Sequence, residues 1–334
     1  MIDIKKLKLD LENKLQESNK MIIVPHNKID FDAIASAIAL SLVGDKYKKN
    51  PQIIVNDSPQ LMERGCKIIV DEAKNDINII NKDRYKKIYT QDDLFVLTDV
   101  NKKHLISVAD MIKDKEKTLI IDHHDPDQNT VPSTSIYIDS TMSSASEIVY
   151  RLLNEYKIKI PKKIANYLLA GIYLDTSKFT KFVKNTQQRT MAIVTKLMSC
   201  GADMSTVSDW FAEDLESYKR VHSLVSEIEL LKYTYALIIA NSDNEYEKED
   251  LAKAADEALK FGTDASIVVA KLNDELIGVS ARSKGNINIE PIMQELGGGG
   301  NVTSGAAQIK NGNVEEVGKT LKKILRPNYY FEGN

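Results

Sequence analysis

The apolar positions of this chain alternate between two textures, short unbroken runs and longer helical periods. Ile4, Leu7, Leu9, Leu11 and Leu15 give one amphipathic helix at the start. The runs MIIVP (21–25), QIIV (52–55), FVLTDV (95–100) and TLII (118–121) follow, separated by helical or polar stretches such as the small-residue helix DAIASAIALSLV (32–43). Strands buried on both faces read as continuous apolar runs, so the pattern predicts a parallel sheet with helices on either side, a Rossmann-like α/β domain. Past Ser143 the helical periods EIVYRLLNEY (147–156) and IANYLLAGIYL (164–174) take over, with Pro161 as a helix start.

A length of 334 residues exceeds what one core usually supports, so two lobes are expected. Residues 1–185 form the first domain and 186–230, with no Pro and few strand signals, a helical connector. Residues 231–328 then form a second, smaller α/β domain. From Tyr233 its pattern runs through YALIIAN, the helix EDLAKAADEALKF, the runs ASIVVAKL and LIGVSARS around a turn at Asn273 and Asp274, and the helix INIEPIMQEL. The glycines 297–300, a strand AAQIK and a helix VEEVGKTLKKIL close it, and the tail from Asn328 carries no functional weight.

The net charge of −3 supplies no global attraction to polyanions, which disfavours long nucleic acid and anionic membranes as partners. Cys66 and Cys200 are too few for a disulfide framework and lack zinc-site spacing, which fits a reducing cytoplasm. The charged start has no signal-peptide core, and no apolar run reaches membrane-spanning length, so a soluble cytoplasmic chain is expected.

Three of the strands run into potential metal ligands: MIIVP into His26, Asp30 and Asp32, FVLT into Asp99, and LII into Asp122, His123 and His124. Asp175 ends a further apolar stretch and is counted with them as a fourth. Strand ends of a parallel sheet gather on one edge, so ligands distant in sequence would meet there. A lone Asp after a strand is ordinarily a helix cap or turn former; four coincident positions weigh against that account. His104 and His222 stay unassigned. Carboxylates so close raise one another's pKa unless cations intervene, and a carboxylate and imidazole set without cysteine favours Mn²⁺, with Mg²⁺ or Zn²⁺ less favoured. Two ions about 3.5–4 Å apart suit hydrolysis at phosphorus by a metal-bridging hydroxide. In the second domain Arg282 and Ser283 end a strand, and Gly298, Gly299 and Gly300 with Asn301 offer backbone amides to an anion, or a helix C-cap.

These motifs are similar to those of the DHH phosphoesterase superfamily. His26-Asn-Lys-Ile-Asp30-Phe-Asp32-Ala resembles its first motif, Asp99 the second, Asp122-His123-His124 the third and Asp175 the fourth; the GGGG run resembles the DHH-associated C-terminal domain. The resemblance implies a bilobed, homodimeric enzyme with two Mn²⁺ ions held by His26, Asp30, Asp32, Asp99, His123 and Asp175, Asp99 bridging. Asp122 and His124 would serve beside the ligands, with Asp99, in catalysis, and Ser143 and Ser144 would lie near the substrate. Residues 278–301 and 168–180 look like the cyclic di-AMP phosphodiesterases, which cut to pApA and, in a further step, AMP. YIDSTMSSASEIVYRLL (137–153) and the Asp-Pro after the double histidine resemble the oligoribonuclease (nanoRNase)/pAp-phosphatase branch, acting on short RNA. The family's glycine motif ends in histidine where this chain has Asn301, which motivates a further alternative, a nucleotide-binding sensor with weak turnover.

Overall fold

A computed structural model describes residues 3–56, 62, 64–183, 185–212, 214–231 and 234–325. Tyr233 and the tail from Asn328 lie outside the described residues. By contacts the chain divides into two compact units, residues 1–212 and 213–334.

In the first unit β1 (Met21–Val24), β2 (Gln52–Ile54), β3 (Asn78–Ile80), β4 (Leu94–Thr98), β5 (Thr118–Asp122) and β6 (Ser135–Ile138) form the expected parallel sheet, in the order β3-β2-β1-β4-β5-β6. The edge strands β3 and β6 were not among the predicted runs, because NII and SIYI are short and half-polar. Along the strands, side chains alternate between two cores. Met21, Ile23, Val96, Leu119 and Ile121 pack with α1 (Ile4–Gln16), α2 (Phe31–Lys46), α3 (Arg64–Ala73), α5 (Ala145–Glu155) and α6 (Lys162–Asp175). Ile22, Val24, Phe95, Leu97 and Ile120 pack on the other face with Tyr85 of α4 (Lys82–Lys86) and with Val108. In α1 the buried stripe is Ile4, Leu7, Leu11 and Leu15, and Leu9 is exposed. Two residues past Leu7 the helix has turned by about 200°, which takes Leu9 off that stripe.

The strand order reverses between β1 and β4, so the crevice outside their carboxyl ends is where an open α/β sheet receives a ligand. The stretch 186–230 is shared between the units. Helices α7 (Gln187–Ser199) and α8 (Met204–Trp210) pack on α6, whereas α9 (Leu215–Ser226) and β7 (Ile228–Leu231) belong to the second unit.

The second unit adds β8 (Tyr235–Ile239), β9 (Ala265–Asn273), β10 (Leu276–Ser283), β11 (Gly299–Gly300) and β12 (Ser304–Lys310) in the order β11-β12-β10-β9-β8-β7. Only β8 and β9 run parallel. The β9–β10 hairpin turns at Asp274 and Glu275, one residue beyond the predicted pair. Helix α10 (Lys248–Ala258) covers one face with α9, and α11 (Ile289–Glu295) and α12 (Val314–Ile324) cover the other. Among the described residues no helix is long and apolar enough to cross a membrane.

Candidate metal centre

At the carboxyl edge of the first sheet the chain brings together side chains from several separate segments. His26 follows β1, Asp30 caps α2 by accepting from the Ala33 amide at 3.0 Å, and Asp32 lies in the first turn of that helix. Asp99 follows β4 in a left-handed conformation, φ +57°. A non-glycine residue held there stores about 1–3 kcal/mol that the surroundings must offset, a strain typical of functional sites. Asp122 is the last residue of β5, with His123 and His124 behind it. Asp175 closes helix α6 and is not a strand end; its apolar run is a helix buried on most sides, which periodicity alone does not separate from a strand.

The distances form a continuous chain of contacts. His26 Nε2 lies 3.3 Å from Asp30 Oδ2 and 3.4 Å from Asp99 Oδ2. On the other side His123 Nε2 lies 3.3 Å from Asp99 Oδ1, 3.2 Å from Asp175 Oδ2 and 3.9 Å from Asp32 Oδ2. Three groups could hold a metal, Asp99–Asp122–His123–His124, His26–Asp30–Asp99 and Asp32–His123–Asp175, and Asp99 faces both His26 and His123. Asp122 is fully buried and already occupied: it accepts from the amides of His123 (2.7 Å) and His124 (3.1 Å), from His124 Nδ1 (2.9 Å) and from Asn101 Nδ2 (2.7 Å). It anchors the double histidine. His124 is more than half exposed and keeps its second ring nitrogen clear of Asp122.

The electrostatics describe a cluster that is short of cations. Burial alone would lower the pKa of His26, but Asp30 and Asp99 outweigh it and push it up to about 10. His123 is likewise buried, and Asp175 and Asp99 push it up to about 12. Burial raises Asp175 to about 6, and burial together with the charges of Asp99 and Asp175 holds Asp32 well above the carboxylate range. Asp99, against the effect of its own burial, is brought down to about 2 by the two imidazoles. Protons thus do the work of positive charge here, and divalent ions would displace them. Asp99 Oδ1 and His123 Nε2 are both buried and, although 3.3 Å apart, neither makes a well-aligned hydrogen bond. Buried polar atoms left so are costly, and a cation between them satisfies both. The donor set therefore fits metal ions.

Ser144 caps α5 by accepting from the Glu147 amide, and Ser143 Oγ lies 3.0 Å from Thr190 Oγ1. Both serines are buried; Ser144 closes the start of α5, and Ser143 links it to α7. Sequence reasoning missed Asn101, which bonds Asp122 and the His124 carbonyl, and Glu147, fully buried beside Ser143 and raised by that burial. A polar residue directly behind TDV, and a Glu three residues after a capping Ser, were the available signals. Beyond Asp175, Ser177, Lys178 and Phe179 are all left-handed (φ +48°, +61° and +61°), held by Thr176 Oγ1 accepting from the Phe179 amide and by Phe179 packed on Tyr173 at 5.1 Å.

In the second unit Arg282, Gly299, Gly300, Ser304, Ser280 and Lys248 line a cavity of about 370 Å³ between α10 and the β10–β12 face. Arg282 Nε pairs with Asp256 at 3.2 Å, while Ser283 turns the other way and accepts from the Gly285 amide. Gly297 (φ +74°), one residue past the C-cap Leu296, is the left-handed residue that ends α11. A Cβ at Gly298 would stand 2.2 Å from the Ala306 carbonyl and one at Gly300 2.3 Å from that of Ser304, so close strand approach requires these two glycines. Asn301 Oδ1 accepts from the amides of Thr303 and Ser304 at 2.9 and 3.0 Å, closing the β11–β12 turn.

A model of the DHH family, N-terminal domain, matches residues 20–172, and a DHHA1 domain model matches residues 231–326. The chain is 29% identical over 332 residues to a cyclic-di-AMP phosphodiesterase, GdpP, of Geobacillus thermodenitrificans, covering 97% of this chain and 49% of that protein. It is 22% identical over 332 residues to a bifunctional oligoribonuclease and PAP phosphatase, NrnA, of Mycoplasma genitalium, covering 94% of this chain and 96% of that protein. The chain spans half or less of the length of the first curated relatives it matches. A crystal structure of an exopolyphosphatase-related protein from Bacteroides fragilis shares the fold, with a TM-score of 0.76 at 22% identity over 96% of each chain.

Proposed function

We propose that this chain, which belongs to the DHH family and carries a DHHA1 domain, is a two-Mn²⁺ phosphodiesterase that opens cyclic di-AMP to pApA. The observation that carries the metal reading is the pair of buried ligand atoms without a well-aligned hydrogen bond, Asp99 Oδ1 and His123 Nε2, inside a cluster of carboxylates and imidazoles. Divalent ions bound there would supply Lewis acidity toward a phosphoryl oxygen and toward an attacking water. His26, Asp30 and Asp99 would hold one ion and Asp32, His123 and Asp175 the other, with Asp99 beside both. His124, whose pKa is raised by its bond to Asp122, stands exposed at the rim, where its ring is placed to donate toward charge developing on the leaving oxygen. The cavity at Arg282, Gly299 and Gly300 offers a guanidinium and a wall without side chains to a nucleotide phosphate.

Similarity to GdpP over nearly the whole chain supports the cyclic dinucleotide. A second reading, hydrolysis of pAp and short oligoribonucleotides, is supported by NrnA, whose full length the chain matches. Incubation with cyclic di-AMP, pApA, pAp and a short RNA in Mn²⁺, followed by chromatography, separates the two. Consumption of pAp and RNA with cyclic di-AMP untouched refutes the first.

A further inference from the structure

Asp32 has no solvent exposure, yet its carboxylate is not free to turn. Its Oδ2 accepts from the Ala145 amide at 2.6 Å and its Oδ1 from the Ser146 amide at 2.8 Å, so the first turn of α5 holds the anion with the unsatisfied N–H groups of a helix start. Helix α6 closes on the same carboxylate. A Cβ at Gly171 would stand 2.3 Å from Ser146 Oγ, 2.7 Å from Asp32 Oδ1 and 3.0 Å from Asp32 Cα. Glycine in a helix interior costs about 1 kcal/mol against alanine, so a packing reason is required for it.

We propose that Gly171 is a positioning residue for the Asp32–His123–Asp175 set: by lacking a side chain it lets α6 seat Asp32 against the α5 turn, with its Oδ2 3.9 Å from His123 Nε2. The inference rests on the metal reading above. Of the atoms a methyl group would meet, Ser146 Oγ is the tip of a side chain, which Ser146→Ala removes. Asp32 Oδ1 is different, because it moves only by giving up its bond to the Ser146 amide. An added methyl is therefore registered at the ligand.

The test is Mn²⁺ titration of the whole chain, without substrate, by electron paramagnetic resonance, for Gly171→Ala and for Gly171→Ala with Ser146→Ala, the latter measured against Ser146→Ala alone. The double variant removes the hydroxyl clash and keeps the methyl against Asp32, so it tests the idea even where the single variant folds poorly. Both are expected to unfold cooperatively in chelator and to bind the second Mn²⁺ some 10–100-fold more weakly, the range seen when a ligand's support is lost. If either variant carrying Gly171→Ala is folded and takes up both ions as tightly as the chain that retains the glycine, the inference is overturned. A wild-type chain that takes up no divalent ion refutes instead the metal reading, independently of position 171.

Discussion

Replacing Asp122 by Asn tests the anchor beneath the double histidine. The carboxylate accepts four hydrogen bonds, three on Oδ1 from His123 N, His124 N and His124 Nδ1, and one on Oδ2 from Asn101 Nδ2. An amide in the same place keeps the three on its oxygen and turns its NH₂ toward that of Asn101. Should Asn101 flip to present its oxygen, it forfeits its bond to the His124 carbonyl at 2.9 Å. Either way one charge-assisted bond is lost in a buried setting, about 2–3 kcal/mol. Urea unfolding in chelator should show a loss of that size. The loss also depends on pH. Asp122 raises the pKa of His124, so in the wild type this pair stabilises the fold fully below the unfolded histidine's pKa, and the contribution fades as pH rises through the folded value. The gap between wild type and Asp122→Asn is therefore widest in mild acid and narrows toward alkaline pH. In the loaded enzyme the alkaline limb of the rate profile should move to lower pH, since His124 gives up its proton sooner. A variant within about 0.5 kcal/mol of wild type at every pH, the scatter of ordinary surface substitutions, with an unmoved rate profile, would refute the anchor reading.

Asp99→Ala removes the carboxylate that faces both His26 (3.4 Å) and His123 (3.3 Å), and Mn²⁺ uptake should fall by about 100-fold with turnover lost; near-normal activity would make the cluster structural. His26 and His123, pushed up to about 10 and about 12, are protonated at pH 7 and must release those protons on binding metal, so Mn²⁺ affinity rises with pH. Calorimetry in buffers of different ionisation enthalpy should count more than one proton released at neutral pH. Asn301→Ala unties the β11–β12 turn and should cost about 1 kcal/mol in thermal or urea unfolding while leaving Mn²⁺ affinity unchanged.

The central strands were legible because burial on both faces writes them as unbroken apolar runs, and His26, Asp99 and Asp122 stood out because each lies at the end of such a run. Asp175 reached the ligand set through a helix, whose interior reads like a strand when neighbours surround it. Asp30 shows why a single Asp is ambiguous, since it caps α2 and faces His26 at once. Asn301 read as an impoverished histidine, but its oxygen has a task that spacing along the chain does not reveal. Asn101, Glu147 and Gly171 escaped notice for one reason: their significance lies in what stands opposite them across a helix or sheet edge, and a linear pattern carries no such information.

The left-handed passage behind Asp175 has a thermal consequence. Three successive residues of the disfavoured hand cost about 1–2 kcal/mol each relative to a right-handed path. The Thr176 hydroxyl, an aromatic contact and amide bonds from Ser177 to the Leu174 carbonyl (2.8 Å) and from Lys178 to that of Tyr173 (2.7 Å) hold them, and this local strain marks the corner for early local opening. On warming, the ligand shell should come apart from that side first, with His26 and Asp99, anchored at the central strands, outlasting Asp175. Heat would then pass the protein through a state whose sheet is intact and whose Asp175 side of the cluster has opened.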